Sequence, residues 1–163
     1  MKKFLLFTVA KIALFCFCLP VFSQELKLII TGEEAKRMFS NGFYDEADKI
    51  SKELLKINPL DTVGLRIQAQ ALTEKYYNIH LEEYYSGALP ILNQLINNGD
   101  QKLLIFRSRL YRSKAKKKFW NDKELHNQHA QLALNDLLEY EKLFPATKLT
   151  AYYKSDLLKM LGK

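Results

Sequence analysis

The sequence predicts an all-α fold, a stack of antiparallel helical hairpins finished by a C-terminal capping helix, and three observations carry that expectation. Apolar residues recur three and four apart along the chain, the spacing that gathers them on one face of a helix. No stretch alternates apolar and polar residues as a half-buried strand would. The run Asn41-Gly42-Phe43-Tyr44-Asp45-Glu46-Ala47, followed by Leu54, Leu55, Ile57, Asn58 and Pro59, reads as two helices joined by a glycine turn.

Residues 1–23 read as a signal peptide, to be set aside before any fold reasoning. Lys2 and Lys3 form a positive start, an apolar stretch runs from Phe4 to Leu19 broken by Lys11, and Pro20 ends it. Val21 and Ser23 occupy the small-residue positions before a cut that leaves Gln24 first. A spanning anchor would need about 20 apolar residues, more than this interrupted stretch supplies. Lipid attachment at Cys16 or Cys18 is the third reading, but a phenylalanine precedes each cysteine where a small residue is usual. Export by the general secretory route follows, to the periplasm or the outer surface. No transmembrane span is expected after cleavage.

Both cysteines of the chain lie in that leader. A mature chain of residues 24–163 therefore has no disulfide, no thiolate nucleophile and no thiolate metal site. It is the size of a single domain. The net charge of the whole chain is +7, from 25 basic and 18 acidic residues, and loss of Lys2, Lys3 and Lys11 lowers it to +4. So mild a basicity gives no reason to expect nucleic acid as a partner.

Helices are expected near 29–40, 44–57, 62–83, 85–97, 101–119, 123–143 and 147–161. In the first, Ala35, Met38 and Phe39 form the apolar stripe. Asn41-Gly42 ends it, glycine being the residue that takes a left-handed closing turn at least cost. In the second, Ala47 offers a small surface for close approach, and Ile50, Leu54, Leu55 and Ile57 continue the buried face to the stop at Asn58-Pro59. Pro90 is expected in the first turns of the fourth helix, where a missing N–H is tolerated, or else as a kink. The last helix carries Leu149, Tyr152, Tyr153, Leu157, Leu158 and Leu161 and is expected to cover the open end of the stack.

Gly42, Tyr44, Ala47 and Pro59 stand at the mutual spacings of a tetratricopeptide repeat, and residues 28–61 resemble one such unit. Residues 62–100 and 101–145 resemble degenerate copies, aligned through Ala88 and Ala133. Their alanine spacings exceed the usual repeat by close to whole helical turns, expected as extra length in each first helix. The resemblance implies a right-handed superhelical stack, an α-solenoid with residues 147–161 as its cap, and a role in binding rather than catalysis. It also implies a concave groove lined by first helices, facing Glu33, Lys36 and Ser40, then Arg66, Gln70 and Thr73, toward an extended peptide. The asparagines with which some members clamp a peptide's terminal carboxylate are missing here.

A second candidate surface is the acid-free run from Lys102 to Lys118, with Arg107, Arg109, Arg112, Lys114, Lys116 and Lys117 between. It suits an anionic envelope surface, glycan or lipid headgroup, or it is a solvated helix face neutralised by neighbours such as Asp122, Glu124, Glu139 and Glu141. Its apolar stripe, Leu103, Leu104, Leu110, Tyr111, Ala115 and Phe119, is expected to pack. The adjacent pairs Tyr76-Tyr77, Tyr84-Tyr85 and Tyr152-Tyr153 each place one ring inward and one at a boundary, since neighbours on a helix point about 100° apart.

His126 and His129, one turn apart, have the spacing of two zinc ligands but no surrounding protease pattern, and read as exposed polar residues. No phosphate-cradling glycine loop or nucleophile elbow occurs, and neither an enzyme nor a bound cofactor or metal is expected. The expected function is an exported scaffold or adaptor of the bacterial cell envelope that binds a protein or peptide. Its partner-facing residues are expected among Lys36, Ser40, Arg66, Gln70, Arg109, Arg112 and Lys116. The alternatives are a structural subunit of an envelope assembly and a binder of anionic glycan or lipid headgroups through residues 102–118.

Overall fold

The computed structural model describes residue 29 and residues 31–163, which are all-helical. The signal peptide expected over residues 1–23, the start expected at Gln24 and the first residues of the expected unit 28–61, apart from residue 29, lie outside the described residues. Seven helices pack sequentially in antiparallel pairs. They are α1 over residues 31–40, α2 Tyr44–Ile57, α3 Thr62–Ile79, α4 Glu82–Asn97, α5 Leu104–Lys118, α6 Lys123–Leu143 and α7 Lys148–Met160, with a single 3-10 turn at Gln101–Leu103. Among the described residues, no helix is long and apolar enough to cross a membrane.

The turns follow from named residues. Gly42 closes α1 at φ 82°, with Gly42 N–H donating to Phe39 O and Phe43 N–H to Met38 O, both at 3.0 Å. This pair of bonds satisfies carbonyls that the last turn of a helix leaves open. Gly99, at φ 100°, closes α4 in the same way through Leu95 and Ile96. Asp61 caps α3 by accepting from Gly64 N–H at 2.6 Å, and Asp122 caps α6 through Leu125 N–H at 3.0 Å. Thr147 and Thr150 exchange bonds as a capping box at the start of α7.

The expected helix over 62–83 is shorter in the structure. It ends at Ile79 because His80 turns left-handed, at φ 62°, a region histidine visits more readily than most side chains. The next helix therefore starts at Glu82 rather than 85. Pro90 then lies in the interior of α4 instead of its first turns. Its ring leaves the Ser86 carbonyl without the usual helical donor, at a position exposed to water.

Three apolar clusters hold the pairs together. Ala35, Ala47, Leu54, Ile67 and Ala71 join α1, α2 and α3. Leu72, Tyr76, Leu92, Leu95 and Leu104 join α3, α4 and α5. Ala115, Ala133, Leu134, Leu137, Tyr153 and Leu157 join α5, α6 and α7. Leu54, Leu92 and Leu137 are at most 1% exposed, and truncating such a leucine to alanine costs about 2–5 kcal/mol.

The aligned alanines Ala47, Ala88 and Ala133 are all fully buried, as close helix approach requires. The extra length is not confined to first helices as expected. Among first helices α3 has 18 residues and α1 covers residues 31–40, as expected, but among second helices α6 has 21 residues against 14 in α2, with the added turns ahead of Ala133.

Candidate functional site

The odd-numbered helices touch one another directly and form one layer. Val63 of α3 lies against Gly32 of α1, the rings of Phe39 and Phe106 are 6.2 Å apart, and α3 packs on α5. Arg112 of α5 reaches Asp156 of α7 at 2.7 Å. This layer carries every partner-facing residue expected from the sequence. Arg66 and Gln70 lie one helical turn apart on α3, and Glu74 and Tyr77 continue their stripe. Arg109, Arg112 and Lys116 succeed one another along α5 in the same manner. Two sets nominated for different reasons thus lie on helices in contact with one another.

Their surroundings differ. Lys36 is exposed and pairs within its own helix with Glu33 at 2.5 Å, and Ser40 is exposed at the end of α1. Arg66 Nε donates to Asp100 at 2.7 Å across the α3–α5 boundary. Beside that pair opens a cavity of about 370 Å³ lined by Arg66, Gln70, Lys102, Leu103, Phe106 and Phe144, among others. Lys102 makes no ion pair among the described residues, so the cavity has one uncommitted cation and two aromatic rings. Thr73 was expected to face the same groove. It is instead fully buried, its hydroxyl donating to Ala69 O at 2.8 Å, because a short hydroxyl inside a helix finds the carbonyl four residues back.

Along α5 the charges are drawn inward. Arg107 forks onto Asp136 with bonds of 2.8 and 2.7 Å and reaches Asn93 at 2.8 Å. Arg109 pairs with Glu74 at 2.7 Å, its guanidinium 4.3 Å from the centre of the Tyr77 ring. Arg112, almost fully buried, pairs with Asp156 and sits 4.2 Å from the centre of the Tyr153 ring. Lys114 pairs with Glu82, and Lys116 reaches Asp156 at 2.9 Å. The bonded counter-charges are thus Asp136, Glu74, Asp156 and Glu82, not the Asp122, Glu124, Glu139 and Glu141 expected from chain proximity. Those four acids come from α6, α3, α7 and α4, and only packing brings them to α5.

The electrostatic consequences follow burial. Burial pushes the Glu74 carboxyl up, with Arg109 holding part of that shift back. Burial likewise raises Asp136 against the hydrogen bonds from Arg107. Asp156 goes the other way. Burial acts to raise it, but hydrogen bonds from Arg112 and Lys116 bring it below the usual carboxylate range. Two guanidinium nitrogens, Arg109 Nε and Arg112 Nη1, are buried without a hydrogen-bond partner, in a wall where tyrosine rings face the cations.

The histidines correct the sequence reading. His126 and His129 are 2% and 9% exposed, not surface residues. His126 Nδ1 lies 2.9 Å from Ala115 O and its Nε2 3.3 Å from Met160 O. His129 Nδ1 lies 2.8 Å from Leu125 O and its Nε2 3.2 Å from Tyr85 Oη. Every ring nitrogen already faces a protein partner, which leaves none directed at a metal. Among the described residues, no group of three or more metal-ligating side chains occurs. Of the tyrosine pairs, Tyr76 is buried with Tyr77 exposed and Tyr153 buried with Tyr152 exposed, whereas Tyr84 and Tyr85 are both half-buried.

One surface escaped sequence reasoning. Phe119 was placed in the packed stripe of α5 but is 50% exposed, and its neighbour Trp120 is 87% exposed. The available signal was position. An aromatic pair directly before Asn121-Asp122, where Asp122 caps the next helix, falls in a turn with no helix face to bury it. Comparison of the chain with models of protein families, with curated proteins and with solved structures finds no match, so the tetratricopeptide likeness rests on Gly42, Tyr44, Ala47 and Pro59 alone.

Proposed function

We propose that the chain is an exported, tetratricopeptide-like scaffold of the bacterial cell envelope, a right-handed superhelical stack capped by α7, that binds a protein or peptide segment along the layer of α1, α3, α5 and α7. The cavity lined by Arg66, Gln70, Lys102, Phe106 and Phe144 carries this reading. Lys102 makes no ion pair among the described residues and stands beside two aromatic rings, while the lining carboxylate Asp100 is already paired to Arg66. This arrangement fits an extended segment with an acidic residue next to an apolar one. Mixed apolar and polar linings of this kind are how ligand sites combine affinity with orientation.

The reading of residues 102–118 as a binder of anionic glycan or lipid headgroups has less support. Arg107, Arg109, Arg112, Lys114 and Lys116 already hold carboxylates of the same chain. A structural envelope subunit would use the same layer as a fixed interface.

Photo-crosslinking distinguishes a site from a passive surface. A benzophenone side chain placed at Gln70, in the envelope fraction of producing cells, is expected to give a discrete adduct that Lys102→Glu abolishes. The same group at Glu139, exposed on α6, is the control. Equal adducts from both positions, or none from Gln70, refute the proposal. Adducts that persist through purification as one stoichiometric complex would favour the structural subunit.

A further inference from the structure

We infer that the turn between α5 and α6 is a lipid-docking tip, in which Trp120 and Phe119 enter the headgroup boundary of an anionic bilayer. This inference does not depend on the peptide-binding reading, because the tip is the turn beyond α5 rather than the layer that holds the cavity.

Exposure alone would carry nothing, but here it is built. The Trp120 ring packs edge-on to Phe119 at 4.8 Å, and Phe119 packs edge-on to His126 at 5.0 Å. His126 is buried between the Ala115 and Met160 carbonyls, which lie 2.9 and 3.3 Å from its two ring nitrogens. The sole tryptophan of the chain is therefore propped outward on a stack rooted in α5, α6 and α7. A side chain held ready loses little conformational freedom on docking.

The charge around the pair fits an anionic surface. Lys118, Lys123 and Lys159 make no ion pair among the described residues. Lys117 Nζ donates only to the neutral carbonyl of His80, at 2.6 Å. The Met160 carbonyl beside His126 brings the end of α7, with exposed Lys159, to this place. Against these stand Asp122 and Glu124, together with Glu82 and Glu83 at the start of α4. Glu82 is paired with Lys114 and also feels Lys117 and Lys118, and Asp122 faces the positive end of α6, accepting from Leu125 N–H. The same bond from Lys117 brings in the α3–α4 turn, where Ile79 and Leu81 are 57% and 46% exposed.

Shape and size decide between a bilayer and a protein. A stable protein interface buries about 800 Å² per partner, while an aromatic side chain offers at most about 250 Å². A convex hairpin tip would need a matching cavity in a protein partner. A bilayer boundary yields to it, and tryptophan settles there with its ring in the apolar zone and its N–H among headgroups.

Trp120 is its own reporter. The full chain is mixed with vesicles of phosphatidylcholine, with and without phosphatidylglycerol, and the tryptophan emission is followed. Co-sedimentation would not suffice, since the apolar residues between Phe4 and Leu19 offer a second route to lipid that Trp120 emission does not read. The expected result is a blue shift on the anionic vesicles, with quenching by lipids brominated near the headgroup.

Circular dichroism first confirms that each variant is folded. Lys118→Glu and Lys123→Glu are each expected to weaken the apparent affinity of the Trp120 response about fivefold or more, as loss of a lysine near an anionic surface implies. An emission that stays at its aqueous position while the chain sediments overturns the inference, because the contact is then made elsewhere. A blue shift that grows with protein concentration in the absence of lipid overturns it too, and assigns the tip to a second copy of the chain.

Discussion

Along α5 and the turn beyond it, side chains of one charge meet opposite fates. From Arg107 to Lys116, the arginines and lysines turn back into the protein and bind carboxylates from α3, α4, α6 and α7. From Lys117 to Lys123 the lysines bind no carboxylate among the described residues, Lys117 and Lys123 exposed and Lys118 half-buried around an exposed aromatic pair. In the sequence the two regions adjoin, the acid-free run ending at Lys118 and Asp122 standing before Lys123. The difference lies in what stands opposite: the first region is flanked by packed helices that bring Asp136, Glu74, Asp156 and Glu82, and the second is a turn with no helix over it. A charge run thus records neither a binding site nor a solvated face until its counter-charges are located in space.

The comparison breaks most visibly at Arg112. Its side chain is 2% exposed and bonds Asp156, which Lys116 also holds. Arg112→Met is expected to destabilise the fold by about 2 kcal/mol, since it removes a buried charge-assisted hydrogen bond and a cation over the Tyr153 ring while leaving Asp156 with Lys116 as its one remaining cation. Urea melts read this as a lower midpoint at unchanged slope. An effect below about 1 kcal/mol would mean that the pair is incidental and that α5 is basic for some other reason.

Arg109→Met is expected to cost about 2 kcal/mol at neutral pH, because it leaves Glu74 buried without its cation. The pH dependence carries the sign. Burial already raises the Glu74 carboxyl, and Arg109 is what opposes the shift. Without the arginine, the folded state holds the Glu74 proton more tightly still. As pH falls through that raised value, the folded form gains protons ahead of the unfolded form, so the variant's deficit narrows toward about pH 5. A deficit independent of pH would show that Arg109 contributes through packing on Tyr77 alone.

Asp156 gives the opposite slope. Its carboxyl is held low by Arg112 and Lys116, so its contribution is present above the unfolded-state value and is lost as pH falls through the lowered folded value. Asp156→Asn is expected to cost about 1.5 kcal/mol at neutral pH, since the amide oxygen still accepts from Arg112. The gap to the natural protein should close in acid. Both gaps narrow toward acid but for opposite reasons, the Arg109→Met variant gaining stability as Glu74 takes up its proton and the natural protein losing the Asp156 contribution. Stability measured from neutral to about pH 3 therefore shows the Glu74 gap narrowing above the unfolded-state carboxyl value and the Asp156 gap below it.

Much of the fold was legible because it is local. Gly42 and Asn58-Pro59 mark helix ends through backbone chemistry, and the buried Ala47, Ala88 and Ala133 mark close approach through size. The end of α3 was not legible, because His80 is stereochemically able to continue a helix and only its surroundings turn it left-handed. The same limit governed the site. Arg66 and Gln70 could be placed by helical phase, but the partners of Arg107, Arg109 and Arg112 stand 29 to 44 residues away in sequence and depend on the packing of four helices. His126 and His129 looked polar and exposed because their type and spacing say nothing about the α5 and α7 carbonyls that meet His126 or the α4 tyrosine hydroxyl that meets His129.

The smallest expected effect tests the exposed side of the comparison. Lys118 and Lys123 make no ion pair among the described residues, and Trp120 is 87% exposed. Lys118→Ala, Lys123→Ala and Trp120→Ala are each expected to change stability by less than about 0.5 kcal/mol, as surface substitutions without a structural partner do. Phe119→Ala should cost more than Trp120→Ala, because half of its ring is covered and it lies edge-on to His126. That ordering matters more than the values. If Trp120→Ala proved the costlier of the two, the tryptophan would be packing the turn rather than projecting from it. The basic run would then be structural from Arg107 through Lys123, with no end of it left for a membrane.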